Sequence, residues 1–326
     1  MGSKVKYVQS FINQVSPALY LVSVTTTYYL AMDQALEHVY KQSGVVSVSI
    51  SKVVATFLYF QLMINWMGLI IVKSDFKPSK TSEKIQREYE QANPKFVAKC
   101  IPYEKLKADR SLQFTKYWTV QKDSERGFNV ANPYWSWRIC DKCRFVRPPR
   151  SHHCVECDRC VLKRDHHCYY AKNCVGLNNQ RHFIVFEFWA VVATLYALIH
   201  GFWYIHIEFY YNQTMAAIDY LLPITVIRYI TGHITSLYLV ILMLVMYSVI
   251  WFFILSTYFF MEHLALVRAG LTTFEYEQGM KSTPDSFVSR MQACLGHHWL
   301  VNFFIPLNIL EQPLEDGMTV VNVKLD

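Results

Sequence analysis

Residues Cys140 to Cys174 read CDKCRFVRPPRSHHCVECDRCVLKRDHHCYYAKNC. Seven of the nine cysteines fall here, at Cys140, Cys143, Cys154, Cys157, Cys160, Cys168 and Cys174, beside His152, His153, His166 and His167. Thiols clustered at CxxC spacing next to histidines signal metal or catalysis on the reducing side of a membrane, not a disulfide framework. A closed tetrahedral zinc site takes four ligands, and two frames of the form C-x2-C-x9-H-x6-C supply them. The first is Cys140, Cys143, His153 and Cys160; the second is Cys154, Cys157, His167 and Cys174, each ligand shifted by 14 residues. This repeat predicts two structural zinc sites interleaved along the chain. So short a stretch, with few apolar residues, relies on metal for its folding free energy.

The frames leave Cys168, His152 and His166 unused. A thiolate nucleophile needs a neighbour that takes its proton, and that base is helped by a carboxylate fixing its tautomer. Asp165, His166 and Cys168 supply all three parts within four residues. The blander alternative makes Cys168 a spare ligand and His166 a solvent-facing turn residue.

Outside this stretch the chain is apolar in blocks. Of 326 residues, 52% are hydrophobic and 17% charged, with mean hydropathy +0.12. Soluble domains run at about 45–50% apolar and about 25% charged, so the excess belongs in a membrane, and a disordered or collagen-like chain is excluded. A span needs about 20 mostly apolar residues. Val53–Val72, Phe183–Ile207 and Leu237–Met261 qualify, and Ile12–Met32 is the weakest, with Pro17 and the run Thr25-Thr26-Thr27. Asp219, Pro223 and Arg228 break a further candidate at Met215–Ile230, which reads as a loop.

Residues 73–182 hold 23 of the 32 lysines and arginines. The two loops on the opposite side hold only Lys41, Lys52 and Arg228, which predicts cytosolic termini and a cytosolic central segment. The sequon Asn212-Gln213-Thr214 falls in the second of those loops. The central segment carries +11 and the rest −4. Beside membrane spans, such charge reads as attraction to anionic lipid, at about 1 kcal/mol per basic residue, or to a phosphate-bearing coenzyme. Nucleic acid is not expected as a partner.

The segments Arg147-Pro148-Pro149-Arg150-Ser151-His152-His153-Cys154, Asp165-His166-His167-Cys168 and Asn173-Cys174-Val175-Gly176-Leu177-Asn178 resemble the cysteine-rich domain of the DHHC protein S-acyltransferases, the palmitoyltransferases. The resemblance extends to Phe183, to Thr272-Thr273-Phe274-Glu275, similar to the family's TTxE motif, and to Asn302 in its C-terminal segment. It implies that the ligand sets are the two frames and that Cys168 is the nucleophile. His166 is then its base and Asp165 the orienter, contacted by Thr273 or Thr272, with Glu275 and Asn302 in supporting roles. The activity implied is two-step transfer from a fatty acyl-coenzyme A such as palmitoyl-CoA. An acyl-enzyme forms on Cys168 and passes the chain to cysteines of membrane-associated proteins. Zinc is structural in that scheme, because closed sites leave no position for water. Tyr169-Tyr170 departs from the family pattern, in which a tryptophan usually stands at the second position.

The expected fold is therefore an all-α polytopic membrane protein of four transmembrane helices. A small cytosolic zinc-binding domain of short β-hairpins lies between spans 2 and 3. Residues 1–72 carry the first two spans, 73–182 the cytosolic segment with its core at 140–174, 183–261 spans 3 and 4, and 262–326 the cytosolic tail. The endoplasmic reticulum, the Golgi and the plasma membrane all suit such a chain. Glu187 reads as an interface residue snorkelling to water, Trp135 and Trp137 as packing for the small domain, and Cys100 and Cys294 as structural thiols. Ala193, Thr194 and Tyr196 are candidates for closing the far end of an acyl-chain cavity. Two rival readings are a RING-like ubiquitin ligase, disfavoured by the five residues between Cys168 and Cys174, and a non-catalytic zinc scaffold.

Overall fold

The computed structural model describes residues 2–41, 45–76, 138–140, 142–143, 145–148, 150–278 and 286–304. Cys100, Trp135, Trp137 and the tail beyond residue 304 lie outside them. In chain order the elements begin with α1 (Gly2–Leu30), a π-helical turn (Ala31–Ala35), α2 (Leu36–Tyr40) and α3 (Val45–Ile71). Six short strands follow: β1 (Arg138–Cys140), β2 (Phe145–Arg147), β3 (His152–Cys154), β4 (Arg159–Val161), β5 (His167–Cys168) and β6 (Asn173–Cys174). After them come α4 (Gln180–Ile205), continued as a π-helical turn (His206–Tyr211), a 3-10 turn (Ala217–Tyr220), α5 (Leu222–Ile230) and α6 (Leu237–Ala269). The described chain closes with α7 (Thr273–Glu277), α8 (Phe287–Leu295) and α9 (Trp299–Phe304). These elements form two compact units, Met1–Met67 with His182–Leu264, and Gly68–Arg181 with Ala265–Asp326.

The first unit is helical. Among the described residues, three stretches are long and apolar enough to cross a membrane: Ser47–Ile71, Gln180–Tyr211 and Leu237–Ala269. The expected first span forms the continuous helix α1, but Asn13, Gln14, Ser16, Ser23 and three threonines hold its hydropathy below that of the other three. It runs antiparallel to α3. Tyr20 packs on Trp66 at 5.1 Å, Tyr28 stacks on Tyr59 at 4.4 Å, and Thr25 and Tyr28 hydrogen-bond Tyr59 and Thr56. Past the π-turn, Glu37 meets Lys52. Tyr196, a candidate for the end of an acyl cavity, has its hydroxyl committed to the Ser51 carbonyl at 2.9 Å.

Two expectations are corrected in this unit. Glu187 does not snorkel: it is buried, and its carboxylate lies 3.3 Å from His263 Nδ1 on α6. An intramembrane carboxylate facing a partner avoids the cost of reaching lipid unpaired. Met215–Ile230 is not a loop but a 3-10 turn followed by α5. Pro223 falls in the first turn of α5, where a missing N–H breaks no helical bond. Asp219 and Arg228 neutralise each other, with Arg228 Nη1 donating to both carboxylate oxygens at 3.0 and 2.9 Å.

The second unit is built on hairpins too short to stand alone. Strand pairs β1–β2, β3–β4 and β5–β6 are antiparallel, and the 14-residue sequence repeat persists in their register. Cys140 faces Phe145, Cys154 faces Arg159 and Cys168 faces Asn173, while His153 faces Cys160 and His167 faces Cys174. Residues after β6 clamp this unit to the end of α3. Asn179 uses its whole amide: Nδ2 donates to the Val72 and Cys174 carbonyls, and Oδ1 accepts from Gly176 N–H and the Ser74 hydroxyl. Asn173 Nδ2 donates to the carbonyls of Leu69 and Val72, satisfying acceptors left open at a helix end. Gly176 is required by this closeness, since a Cβ there would sit 2.6 Å from the Leu162 carbonyl oxygen. At the far end of the chain α8 stops at Gly296, whose φ is 90°, and Asn302 of α9 donates to the Leu295 carbonyl.

Candidate active site and metal centres

Each ligand set is assembled from two hairpins. The turn after β1 presents Cys140 and Cys143, and the facing pair His153 and Cys160 on β3 and β4 completes the first set. One repeat later, Cys154 and Cys157 meet the facing pair His167 and Cys174. Within each set the ligand atoms lie within 4.8 Å of one another. His153 Nδ1 is 3.7 and 3.3 Å from the sulfurs of Cys140 and Cys143, and His167 Nδ1 is 3.7, 3.3 and 3.8 Å from those of Cys154, Cys157 and Cys174. The sulfurs of Cys143 and Cys160, and of Cys157 and Cys174, are 3.7 Å apart.

A tetrahedron with Zn–S near 2.3 Å and Zn–N near 2.0 Å has edges of about 3.8 Å between sulfurs and about 3.5 Å between sulfur and nitrogen. Both sets match it. Their chemistry agrees, because thiols packed so tightly resist ionising together: contacts with Cys154 and Cys157 push the Cys174 thiol far up. A divalent cation between them relieves that conflict. His153 keeps its outer nitrogen, Nε2, 3.6 Å from the Asp158 carboxylate, a partner of the kind that orients ligating imidazoles.

The unused thiol sits apart from both sets. Cys168 is buried on β5, and the ladder continues past it, with Val175 N–H donating to the His166 carbonyl and Asp165 N–H to the Val175 carbonyl. The backbone on both sides of the Asp165–His166 dipeptide is thereby fixed. Asp165 Oδ2 lies 2.6 Å from His166 Nδ1, which commits that nitrogen to the carboxylate. Burial opposes a charged imidazole, but hydrogen bonds with Asp165 and Cys168 outweigh it and raise His166 to about 9.

Asp165 is anchored in turn by α7. Thr273 donates its N–H to Oδ1 at 2.7 Å and its hydroxyl to Oδ2 at 2.8 Å. Thr272 does something else: it is the N-cap of α7, accepting from Glu275 N–H while Glu275 accepts from Thr272 N–H, a reciprocal capping box. The Glu275 carboxylate, fully buried, takes a two-pronged bond from Arg150, at 2.6 Å from Nε and 2.7 Å from Nη2. Arg150 also donates to the Gly270 carbonyl. Asn302 is buried and ties α9 to the end of α8.

Against known proteins, the model of the DHHC palmitoyltransferase family matches residues 135–280. That interval contains both ligand sets, the Asp165–His166–Cys168 group and α7. This chain carries a DHHC palmitoyltransferase domain. Similar curated proteins agree. Palmitoyltransferase ZDHHC20-A of Danio rerio is 36% identical over 42% of this chain and 33% of its own. Palmitoyltransferase ZDHHC20 of Mus musculus is 25% identical over 55% and 44%, and palmitoyltransferase ZDHHC22 of Danio rerio 30% identical over 49% and 58%. The chain thus spans between a third and three fifths of the length of these relatives.

Several residues of the DHHC domain had no role in the sequence reading. Arg150 stood inside a quoted motif, yet its partner lies 125 positions away. Its φ of 59° is unusual for a long side chain and marks it as held by its surroundings. His152, unused by either frame, packs its ring on Phe274 of α7 at 5.0 Å. Tyr169, at the departure from the family pattern, sets its edge against the His167 ring, and Tyr170 is exposed.

Proposed function

We propose that the chain is an integral-membrane protein S-acyltransferase working through an acyl-enzyme on Cys168. One observation carries this reading. A buried thiol outside both metal sets stands beside an imidazole whose Nδ1 is held by a carboxylate, itself held twice by Thr273. In the first step the Cys168 proton passes to His166 and Sγ attacks the thioester carbon of a long-chain acyl-coenzyme A. The carbon–sulfur bond to coenzyme A breaks, and the leaving thiolate takes the proton back from the imidazolium. In the second step a substrate cysteine gives its proton to His166, attacks the acyl-enzyme and releases Cys168. Palmitoyl-CoA is the donor we favour, and membrane-associated proteins with accessible cysteines are the acceptors. Two zinc ions, held by the ligand sets above, fix the hairpins and supply no open coordination site.

The same reading takes α1 as a fourth span despite its polar residues, because Tyr20, Thr25 and Tyr28 pair with Trp66, Tyr59 and Thr56 of α3 as neighbouring spans do. Both termini and residues 73–182 then face the cytosol, in the endoplasmic reticulum, Golgi or plasma membrane. The test is incubation of the purified chain with labelled palmitoyl-CoA. The expected outcome is a label on Cys168 released by neutral hydroxylamine; a chain that stays unlabelled while holding its metal is a zinc scaffold or a ligase of another kind.

A further inference from the structure

The connection between α4 and α6 is turned inside out relative to a water-exposed loop. Between Ala217 and Ile230 the acid and the threonine point inward: Asp219 and Thr225 are 0% exposed. Asp219 accepts from Ala216 N–H and from Arg228, and Thr225 donates its hydroxyl to the Asp219 carbonyl. Tyr247 of α6 reinforces the fold, its hydroxyl donating to the Tyr220 carbonyl and accepting from Leu222 N–H. The outward side is apolar. Ile218 and Leu221 are 52% and 53% exposed, and Ile227 and Ile230 reach 59% and 76%. Pro223, Ile227 and Ile230 share one face of α5 at helical spacing, and all three are exposed.

Charge accounting points the same way. Between residues 212 and 236 the only formal charges are Asp219 and Arg228, and they are bonded to each other. The exposed polar groups collect in two turns, Asn212–Gln213–Thr214 and Thr231–Gly232–His233, on either side of the apolar face. That face continues by chain into the exposed apolar sides of two candidate spans, through Trp203 and Tyr211 before it and Leu237, Ile241 and Leu244 after it.

We infer that Ala217–Ile230 lies in the membrane leaflet reached by the end of α4 and the start of α6, with phospholipid acyl chains covering the face of Ile218, Leu221, Ile227 and Ile230. Water is a poor occupant for such a face, and its internal bonds let the backbone and the charge pair enter the leaflet boundary already satisfied. The chain thus meets lipid along a short helix lying in the plane of the membrane as well as along its spans. This inference rests on reading α4 and α6 as spans.

The test replaces Ile227, Ile230 or Leu244, one at a time, by a diazirine-bearing phenylalanine in the full chain, reconstituted into phosphatidylcholine vesicles. All three positions are exposed, so the change removes no packing. After irradiation, phospholipid adducts are expected at 227 and 230 at a yield within about twofold of that at 244. Lipid adducts at 244 with only water adducts at 227 and 230 would overturn the inference and leave the spans intact. Cross-links from 227 and 230 to a second copy of the chain would also overturn it. Absence of lipid adducts at 244 would remove the span reading itself.

Discussion

Thr273 grips both oxygens of Asp165, one with its backbone N–H at 2.7 Å and the other with its hydroxyl at 2.8 Å. The carboxylate that orients His166 is therefore itself oriented by an element more than a hundred residues away, at the first residue of α7.

Adjacent threonines should fail differently. Thr273→Val keeps the N–H and deletes the hydroxyl bond to a charged group, worth about 1.5–3 kcal/mol. Self-acylation should slow by roughly 10- to 100-fold while metal content and melting temperature hold. Thr272→Val removes the N-cap of α7, at about 0.5–2 kcal/mol, and should lower the melting temperature first. Single-turnover rates and thermal unfolding on the two variants separate these outcomes; equal effects from both would contradict the division of roles.

Thiols inside and outside the metal sets should also part company. Cys168→Ser should abolish the hydroxylamine-sensitive label with both zincs retained. Cys154→Ala should lose zinc and with it much of the fold, since a structural zinc supplies about 10–16 kcal/mol. Metal analysis decides: a zinc missing from Cys168→Ser would make Cys168 a ligand.

The raised value of His166 gives a pH dependence. Its folded value, about 9, lies above that of a free imidazole. Below that pH it can therefore hold the proton that it takes from Cys168, and above it that proton is lost. At neutral pH His166→Ala should self-acylate some ~10²–10⁴-fold more slowly. The gap should close as pH rises through about 9, where the wild-type imidazolium is gone. A constant ratio from pH 7 to 10 would assign His166 to another step. The same sign holds for stability, which the charged His166 supports at low pH and ceases to support as pH climbs through about 9.

Arg150 and Glu275 should be worse apart than absent together. Either Arg150→Met or Glu275→Met leaves a buried charge without its counterpart, at about 3–5 kcal/mol. The double variant Arg150→Met/Glu275→Met should recover part of that loss. A cycle of urea unfolding on the three proteins measures the coupling, and strictly additive losses would deny it.

What the sequence disclosed was local. The ligand frames and the Asp165–His166–Cys168 group sit within 35 residues, so spacing alone brings them into view. The Arg150–Glu275 clamp and the Thr273 anchor join positions 125 and 108 apart, and no periodicity reports such a pairing. Which threonine touches Asp165 depends on where α7 begins, and only the capping geometry settles that. Helix α5 was hidden by its own charges: Asp219, Pro223 and Arg228 look like helix breakers in a membrane until the first and last bond each other and the proline falls in the first turn. Glu187 misled for the same reason, its partner His263 being on another helix.

The 14-residue register has a consequence for where the thiol came to stand. Counting forward, Cys140 maps onto Cys154 and Cys154 onto Cys168, while Cys143 maps onto Cys157 and Cys157 onto Ala171. His167 likewise maps onto Arg181 and Cys174 onto Phe188, so of four ligand positions the third repeat keeps Cys168 alone, and the proposed nucleophile stands where a ligand would. Restoring one lost partner, by Ala171→Cys, should turn Cys168 from a reagent into half of a two-thiol chelate: such a chain is expected to bind added cadmium, a thiol-seeking cation, at the third hairpin and to fall silent in acyl transfer until a chelator of moderate strength frees it.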